Sequence, residues 1–204
     1  TWFTPSLQTI SRSAGRSAVA AAAYRACVKL IDQTTGLIHD YTRKRGHVET
    51  LLVGADDISE LWNKAEAAET RKNSTVAREL MLPLPDQWTD NERRACVLDI
   101  AQHLRDTYGV AAAGSIHAAN RHDRNGHCHL MFTTRVVDDD GNFGKKTRIL
   151  DDMKTGEVKR LREAICKIIN DHAEKLGSDF YVYAGKFTDI DKNHIPTKHI
   201  PITS

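Results

Sequence analysis

Apolar and polar positions along this chain repeat with two different periods, which predicts strands that alternate with helices. Strands, with apolar or β-branched residues in short runs, are expected at 1–10, 74–83, 110–117 and 127–135. Helices, with an alanine-rich run or apolar positions three and four residues apart, are expected at 16–32, 57–70, 89–108 and 157–176. A turn signal at Thr35-Gly36 predicts one further hairpin.

These elements predict an α/β (α+β) domain with a largely antiparallel central sheet and helices mainly on one face. The open face of such a sheet is then available for a metal ion and an extended polyanion. The length of 204 residues suits one domain with a sizeable core. Residues 178–204 show little periodicity, so we expect them to form an extended tail packed on that domain.

Composition narrows the classes of protein that fit. The formal net charge of +2 gives no global signal for a polyanionic partner, so any nucleic-acid surface must come from local clusters. The four cysteines are widely spaced with no CxxC pair, which argues against a disulfide framework or a zinc knuckle and favours the cytoplasm. No apolar run reaches the length of a membrane span, and no secretory signal pattern opens the chain.

Three histidines carry the clearest chemical signal. His127 and His129 are two residues apart in a predicted strand and therefore point to the same face. If His117 lies opposite His127 in the hairpin, its Cβ atom is about 5 Å away and all three imidazoles share one face. This arrangement of three histidines predicts a divalent metal site with open coordination positions. A pair of histidines two residues apart, without the third, is often only part of a polar surface. Three nitrogen ligands leave Mg²⁺, Mn²⁺, Ni²⁺ and Zn²⁺ all conceivable.

Two further side chains have an ambiguous pattern. Tyr24 is the one large polar-tipped residue in the middle of an alanine-rich helix, where a packed core tyrosine is the ordinary interpretation. Glu79 is the only carboxylate on its face of the strand at 74–83, and it is either solvated or a polar member of a site.

Basic residues gather in several short runs, for which a solvated surface is the default interpretation. The last run is expected in a mobile loop after the histidine hairpin. The candidate residues are Arg12, Arg16, Arg43, Lys44, Arg45, Lys145, Lys146 and Arg148.

Four segments together resemble one family. HAANRHDRNGHCHLMFTTR resembles the three-histidine motif of HUH endonucleases, specifically the conjugative relaxases of the MobA/MobL (MobQ) family. SRSAGRSAVAAAAYR is similar to the N-terminal motif whose tyrosine is the DNA-cleaving nucleophile, and VARELMLPLP to the strand that contributes an acidic residue. IDKNHIPTKHIP resembles the end of the relaxase region. The chain departs from the family at Thr4, where members often carry a histidine.

The resemblance implies a relaxase palm that nicks single-stranded or hairpin transfer-origin DNA and starts conjugative transfer. Tyr24 becomes the nucleophile that forms a 5′-phosphotyrosine, and the three histidines hold the ion, with Mg²⁺ or Mn²⁺ favoured and Ni²⁺ or Zn²⁺ conceivable in a crystal. Glu79 becomes either the base for Tyr24 or the residue that orients a ligand imidazole. The basic residues above become contacts to the DNA backbone.

The likeness is strongest to TraA-type relaxases, in which a helicase follows the relaxase region. It implies that residues 1–204 are the nicking domain at the N-terminal end of a longer cytoplasmic protein, exported while covalently attached to DNA. Accessory relaxosome proteins and a type IV secretion coupling protein are the implied partners. Three alternatives stay open: a metal-dependent phosphodiesterase that uses water, an origin-binding module that does not cut, and a replication-initiator nuclease.

Overall fold

The computed structural model describes residues 5–119 and 126–184. The chain divides into two compact units, 6–147 and a second unit whose described residues are Pro5 and 148–184. The beginning of the first predicted strand with Thr4, the tip of the histidine loop and the end of the predicted tail lie outside the described residues.

The larger unit is built on five antiparallel strands, which confirms the predicted fold class. Their order across the sheet is β1-β5-β7-β6-β4, while β2 pairs with β3 and β8 with β9 in two small hairpins. The strands are β1 (Ser6–Ser11), β2 (Lys29–Ile31), β3 (Ile38–Asp40), β4 (His47–Val53), β5 (Thr75–Leu84), β6 (Ala112–His117), β7 (Gly126–Thr133), β8 (Arg135–Val137) and β9 (Phe143–Lys146). The helices of this unit are α1 (Ala18–Ala26), α2 (Ile58–Ala67) and α3 (Asp90–Tyr108).

The register of the central hairpin agrees with the prediction. His117 lies opposite His127, and His129 lies opposite Ser115, so the three histidines share one face of the sheet. Strand β7 also pairs along its other edge with β5, and there Glu79 lies opposite Met131. Alternation along each strand therefore places Glu79 on the histidine face as well.

Helices cover both faces of this sheet. Buried residues of α1 and α2 pack against Ala77, Ala113 and Met131, which belong to the histidine face. The other face receives α3, where a side chain at Gly114 would come within 2.9 Å of a methyl group of Val97. Two of the three helices thus lie on one face as expected, but the histidines are at the end of that covered face rather than on an open one.

The structure corrects the predicted elements at three places. The first helix ends at Ala26 rather than near residue 32, because Cys27 adopts a left-handed conformation (φ 54°) and the chain turns into the β2–β3 hairpin. The segment 47–53 was not predicted as a strand, yet it forms the sheet edge next to β6. The predicted mobile loop at 145–148 is in part strand, since Lys145 and Lys146 belong to β9.

The second unit contains α4 (Glu157–Lys175), whose buried stripe includes Val158, Leu161, Ile165 and Ile169 as predicted. After this helix, the side-chain amide of Asn170 pairs with the backbone of Val182 through two hydrogen bonds of 3.0 and 2.9 Å. Among the described residues, no helix combines the length and apolar character that crossing a bilayer requires.

Candidate functional site

The three predicted ligand histidines form one cluster at the end of the β6–β7 hairpin. The rings of His117 and His127 are stacked with centroids 5.4 Å apart. The ring of His129 meets them edge-on, with centroid distances of 5.0 Å to His127 and 5.7 Å to His117. The structure therefore brings together the three side chains that the strand period places on one face.

Hydrogen bonding fixes the tautomer of His117. Its Nε2 atom lies 2.7 Å from the carbonyl oxygen of Arg25, and a carbonyl can only accept, so Nε2 carries the proton. Burial is the main reason why the pKa of His117 falls to about 4. The hydrogen bond to Arg25 acts in the opposite direction, whereas His129, His127 and Lys44 lower the pKa further. The ring is neutral at pH 7, and its lone pair is on Nδ1.

Glu79 lies behind His129 and is almost fully buried, at 4% exposure. One of its oxygens lies 3.2 Å from Nδ1 of His129 and 3.1 Å from Nη2 of Arg25, and its other oxygen pairs with Nε of Arg25. Burial opposes ionisation, but the hydrogen bonds from His129 and Arg25 outweigh it and lower the pKa of Glu79. The ionised carboxylate accepts from Nδ1 of His129 and leaves Nε2 of that ring to bind a ligand.

The chemistry of this donor set fits a divalent metal ion. A ligating histidine commonly donates its second ring nitrogen to a carboxylate or a backbone carbonyl, and His129 and His117 do so here. Among the described residues, no group of three or more histidine, cysteine, aspartate or glutamate side chains is already arranged to hold a metal ion.

Tyr24 occupies the last turn of α1, one residue before the carbonyl that accepts from His117. Its side chain is 47% exposed, so the interpretation as a packed core tyrosine is wrong. The ring meets the edge of Tyr41 with centroids 5.1 Å apart, and the ammonium of Lys44 lies 3.4 Å above the ring centroid. The end of α1 thus carries the exposed phenol of Tyr24, and the next residue, Arg25, is hydrogen-bonded through its carbonyl to the histidine cluster.

The model of the MobA/MobL family matches residues 16–204. The chain belongs to the MobA/MobL family. It is 40% identical over 173 residues to the mobilization protein MobL of Acidithiobacillus ferridurans, covering 72% of this chain and 46% of that protein. It is 32% identical over 164 residues to the conjugal transfer protein TraA of Agrobacterium fabrum, covering 71% of this chain and 14% of that protein. The chain therefore spans less than half the length of these curated relatives.

Solved structures show the same fold. One, described as the molecular basis of vancomycin resistance transfer in Staphylococcus aureus, superposes with a TM-score of 0.78 at 26% identity, covering 92% of this chain and all of that one. The protein TrwC, complexed with a 27-mer DNA that comprises the recognition hairpin and the cleavage site, gives a TM-score of 0.53 at 10% identity over 92% of this chain and 74% of its own. The second likeness concerns the fold alone.

Two residues of this MobA/MobL site were missed by sequence reasoning. Arg25 had no signal beyond its place after Tyr24, because its partner Glu79 is 54 positions away. His47 pairs with His117 across the β4–β6 register, with ring centroids 5.7 Å apart. Its Nε2 atom lies 2.8 Å from the hydroxyl of Thr50. The apolar run at 51–53 was a usable strand signal and would have placed His47 beside the hairpin.

The basic candidates of this MobA/MobL chain differ in their surroundings. Arg12 pairs with Glu66 at 2.7 Å, and Lys146 pairs with Glu69 at 3.3 Å and donates to a backbone carbonyl, so both stabilise the fold. Arg16 donates to the carbonyl of Thr9 at 3.1 Å. Exposed members of the set are Arg43, Arg45, Lys145 and Arg148.

Proposed function

We propose that this chain is the nicking domain of a conjugative DNA relaxase, acting in the cytoplasm on single-stranded or hairpin transfer-origin DNA. Membership of the MobA/MobL family and the mobilization and conjugal-transfer relatives support this function. The observation that carries it is the last turn of α1, which bears an exposed Tyr24 while its next carbonyl is bonded to His117. Accessory relaxosome proteins and a secretion coupling protein would be further partners of the whole protein.

In the proposed reaction, the phenol oxygen of Tyr24 attacks one phosphorus atom of the DNA. The phenol proton passes to solvent, the new O–P bond forms, and the bond from phosphorus to the 3′ oxygen breaks. That oxygen leaves with the electron pair and takes a proton from water, so one proton is lost and one gained. The products are a 5′-phosphotyrosine and a free 3′-hydroxyl.

His117, His127 and His129 would hold the divalent ion, with Mg²⁺ or Mn²⁺ as the physiological choice. When bound, such an ion polarises the nonbridging phosphate oxygens and stabilises the charge that develops on them. The neutral ring of His117 and the ionised partner of His129 keep both imidazoles in the form that donates a lone pair.

We assign Glu79 a positioning role rather than that of the base. Both of its oxygens are engaged, one by His129 and Arg25 and the other by Arg25 alone. A carboxylate held in this way orients the imidazole of His129 and cannot turn towards a phenol without breaking a buried ion pair. Of the two roles considered for Glu79 from sequence, the contacts favour orientation of the ligand imidazole.

Replacing Glu79 with glutamine should lower the metal-dependent cleavage rate by about 10- to 100-fold while DNA still binds. The amide cannot supply the negative charge that holds the proton on Nδ1 of His129. Cleavage rates and DNA affinity are measured separately at several Mn²⁺ concentrations. Glu69→Gln is the matched control, because Glu69 is also buried and is paired with Arg135 and Lys146 but has no hydrogen bond to a histidine of the cluster among the described contacts. A Glu79→Gln rate equal to that of Glu69→Gln at every Mn²⁺ concentration would show that Glu79 has no part in catalysis.

The exposed arginines between β3 and β4 are the proposed contact to the DNA backbone. The double substitution of Arg43 and Arg45 with alanine should weaken binding at low salt and reduce the slope of log affinity against log salt by about 1.4 units on single-stranded DNA. Fluorescence anisotropy with a single-stranded oligonucleotide between 50 and 200 mM salt, roughly the range where such contacts act, measures this slope. An unchanged slope would remove these two arginines from the interface.

A further inference from the structure

The ring of Tyr24 is held from two sides although its side chain is exposed. The ammonium of Lys44 lies 3.4 Å above the ring centroid, which is a cation–π contact on one face. The ring of Tyr41 meets Tyr24 at 86°, with centroids 5.1 Å apart. These contacts restrict the rotation of a side chain that burial does not restrict.

The same ammonium also binds the helix backbone. Nζ of Lys44 lies 3.3 Å from the carbonyl oxygen of Tyr24, and Nε2 of His117 lies 2.7 Å from the next carbonyl, that of Arg25. Two consecutive carbonyls of the last turn of α1 are thus held, one by the basic segment and the other by the sheet. Lys44 and His117 together fix the end of this helix beside the histidine cluster.

The position of Lys44 follows from the local fold. The amide of Tyr41 donates to the carbonyl of Val28 at 3.2 Å, and the amide of Lys44 donates to the carbonyl of Tyr41 at 3.0 Å. This turn places Lys44 against α1, while its neighbours Arg43 and Arg45 remain exposed. The three basic residues of one run therefore have different surroundings.

We propose that Lys44 is a positioning residue for Tyr24: it orients the phenol for in-line attack and keeps a positive charge beside it. This inference rests on the proposed function. A lysine that only contacts the DNA backbone affects affinity and its salt dependence. A lysine that orients the attacking residue also affects the rate once all the protein is bound to DNA, because it acts after binding.

The test is single-turnover cleavage of a single-stranded oligonucleotide that carries the transfer origin, at saturating DNA and with Mn²⁺. Lys44→Met should be roughly 5- to 30-fold slower than the wild type, the range expected for loss of a cation–π contact. Lys44→Arg should stay within about threefold of the wild type, because guanidinium also packs on aromatic faces. Lys159→Met, an 80% exposed lysine on α4, is the control and should cleave like the wild type.

Three results would overturn the inference. Wild-type cleavage by Lys44→Met at saturation, with only weaker DNA binding, would make Lys44 an ordinary backbone contact. Equal slowing in Lys44→Arg and Lys44→Met would show that the retained positive charge is not what matters. Absence of cleavage by the wild-type protein would overturn the proposed function itself, and with it any role in positioning a nucleophile. Thermal unfolding of each variant confirms that the fold is intact.

Discussion

Replacing Tyr24 with phenylalanine should abolish the covalent protein–DNA adduct and lower strand cleavage by at least about 10³-fold, because it removes the attacking oxygen and little else. The side chain is 47% exposed, so loss of one hydroxyl leaves the core unchanged. The ring contacts with Tyr41 and Lys44 do not depend on that hydroxyl. Denaturing gel electrophoresis of end-labelled DNA after incubation with the protein measures cleavage and adduct together.

Tyr41→Phe is the matched control, since it deletes a hydroxyl from the neighbouring ring. Adduct formation should persist in this variant. If Tyr24→Phe still cleaved and released free ends, the chain would be a metal-dependent phosphodiesterase that uses water. If the wild type bound origin DNA without cutting it in the presence of Mg²⁺ or Mn²⁺, it would be a binding module.

Replacing His129 with alanine should reduce Mn²⁺-dependent cleavage by about 10³-fold. It removes one of three proposed ligands and also leaves the buried carboxylate of Glu79 with Arg25 as its remaining partner. His129→Ala combined with Glu79→Gln should be little slower than His129→Ala alone, because Glu79 acts through this imidazole. Isothermal titration of the protein with Mn²⁺, together with single-turnover cleavage, measures both the binding and the rate.

His103→Ala, a change on α3, is the control for loss of an imidazole elsewhere and should leave Mn²⁺ affinity unaltered. Activity retained in His129→Ala would remove the metal assignment. Full additivity of His129→Ala and Glu79→Gln would show instead that the carboxylate works independently of the imidazole.

The central hairpin could be predicted from sequence because a strand has a period of two residues. Once His127 and His129 share a face, pairing His117 opposite His127 brings the third imidazole to that same face, and the observed register is the predicted one. The role of Glu79 was more difficult to predict, since the sequence pattern does not show whether a single carboxylate on a strand is buried or solvent-exposed. Its partner Arg25 is distant in sequence, so only the fold brings the two together.

The errors at the helix and sheet boundaries have local causes. Alanine propagates a helix well and carries no stop signal, so the end of α1 at Cys27, a non-glycine residue at φ 54°, was not visible in the pattern.

The roles of the basic residues could not be predicted from sequence either. Arg12 and Arg43 are both arginines in polar runs, yet Arg12 forms a partly buried ion pair with Glu66 and Arg43 is exposed. Charge in a sequence does not distinguish these two roles.

The most direct test of the account is mass spectrometry of the protein after incubation with transfer-origin DNA and Mn²⁺, followed by nuclease and protease digestion. We expect a nucleotide mass on the peptide that contains Tyr24, joined through phosphate to the phenol oxygen, and a free 3′-hydroxyl on the released strand. Cleaved DNA accompanied by an unmodified Tyr24 peptide, or by a nucleotide on a different residue, would contradict it.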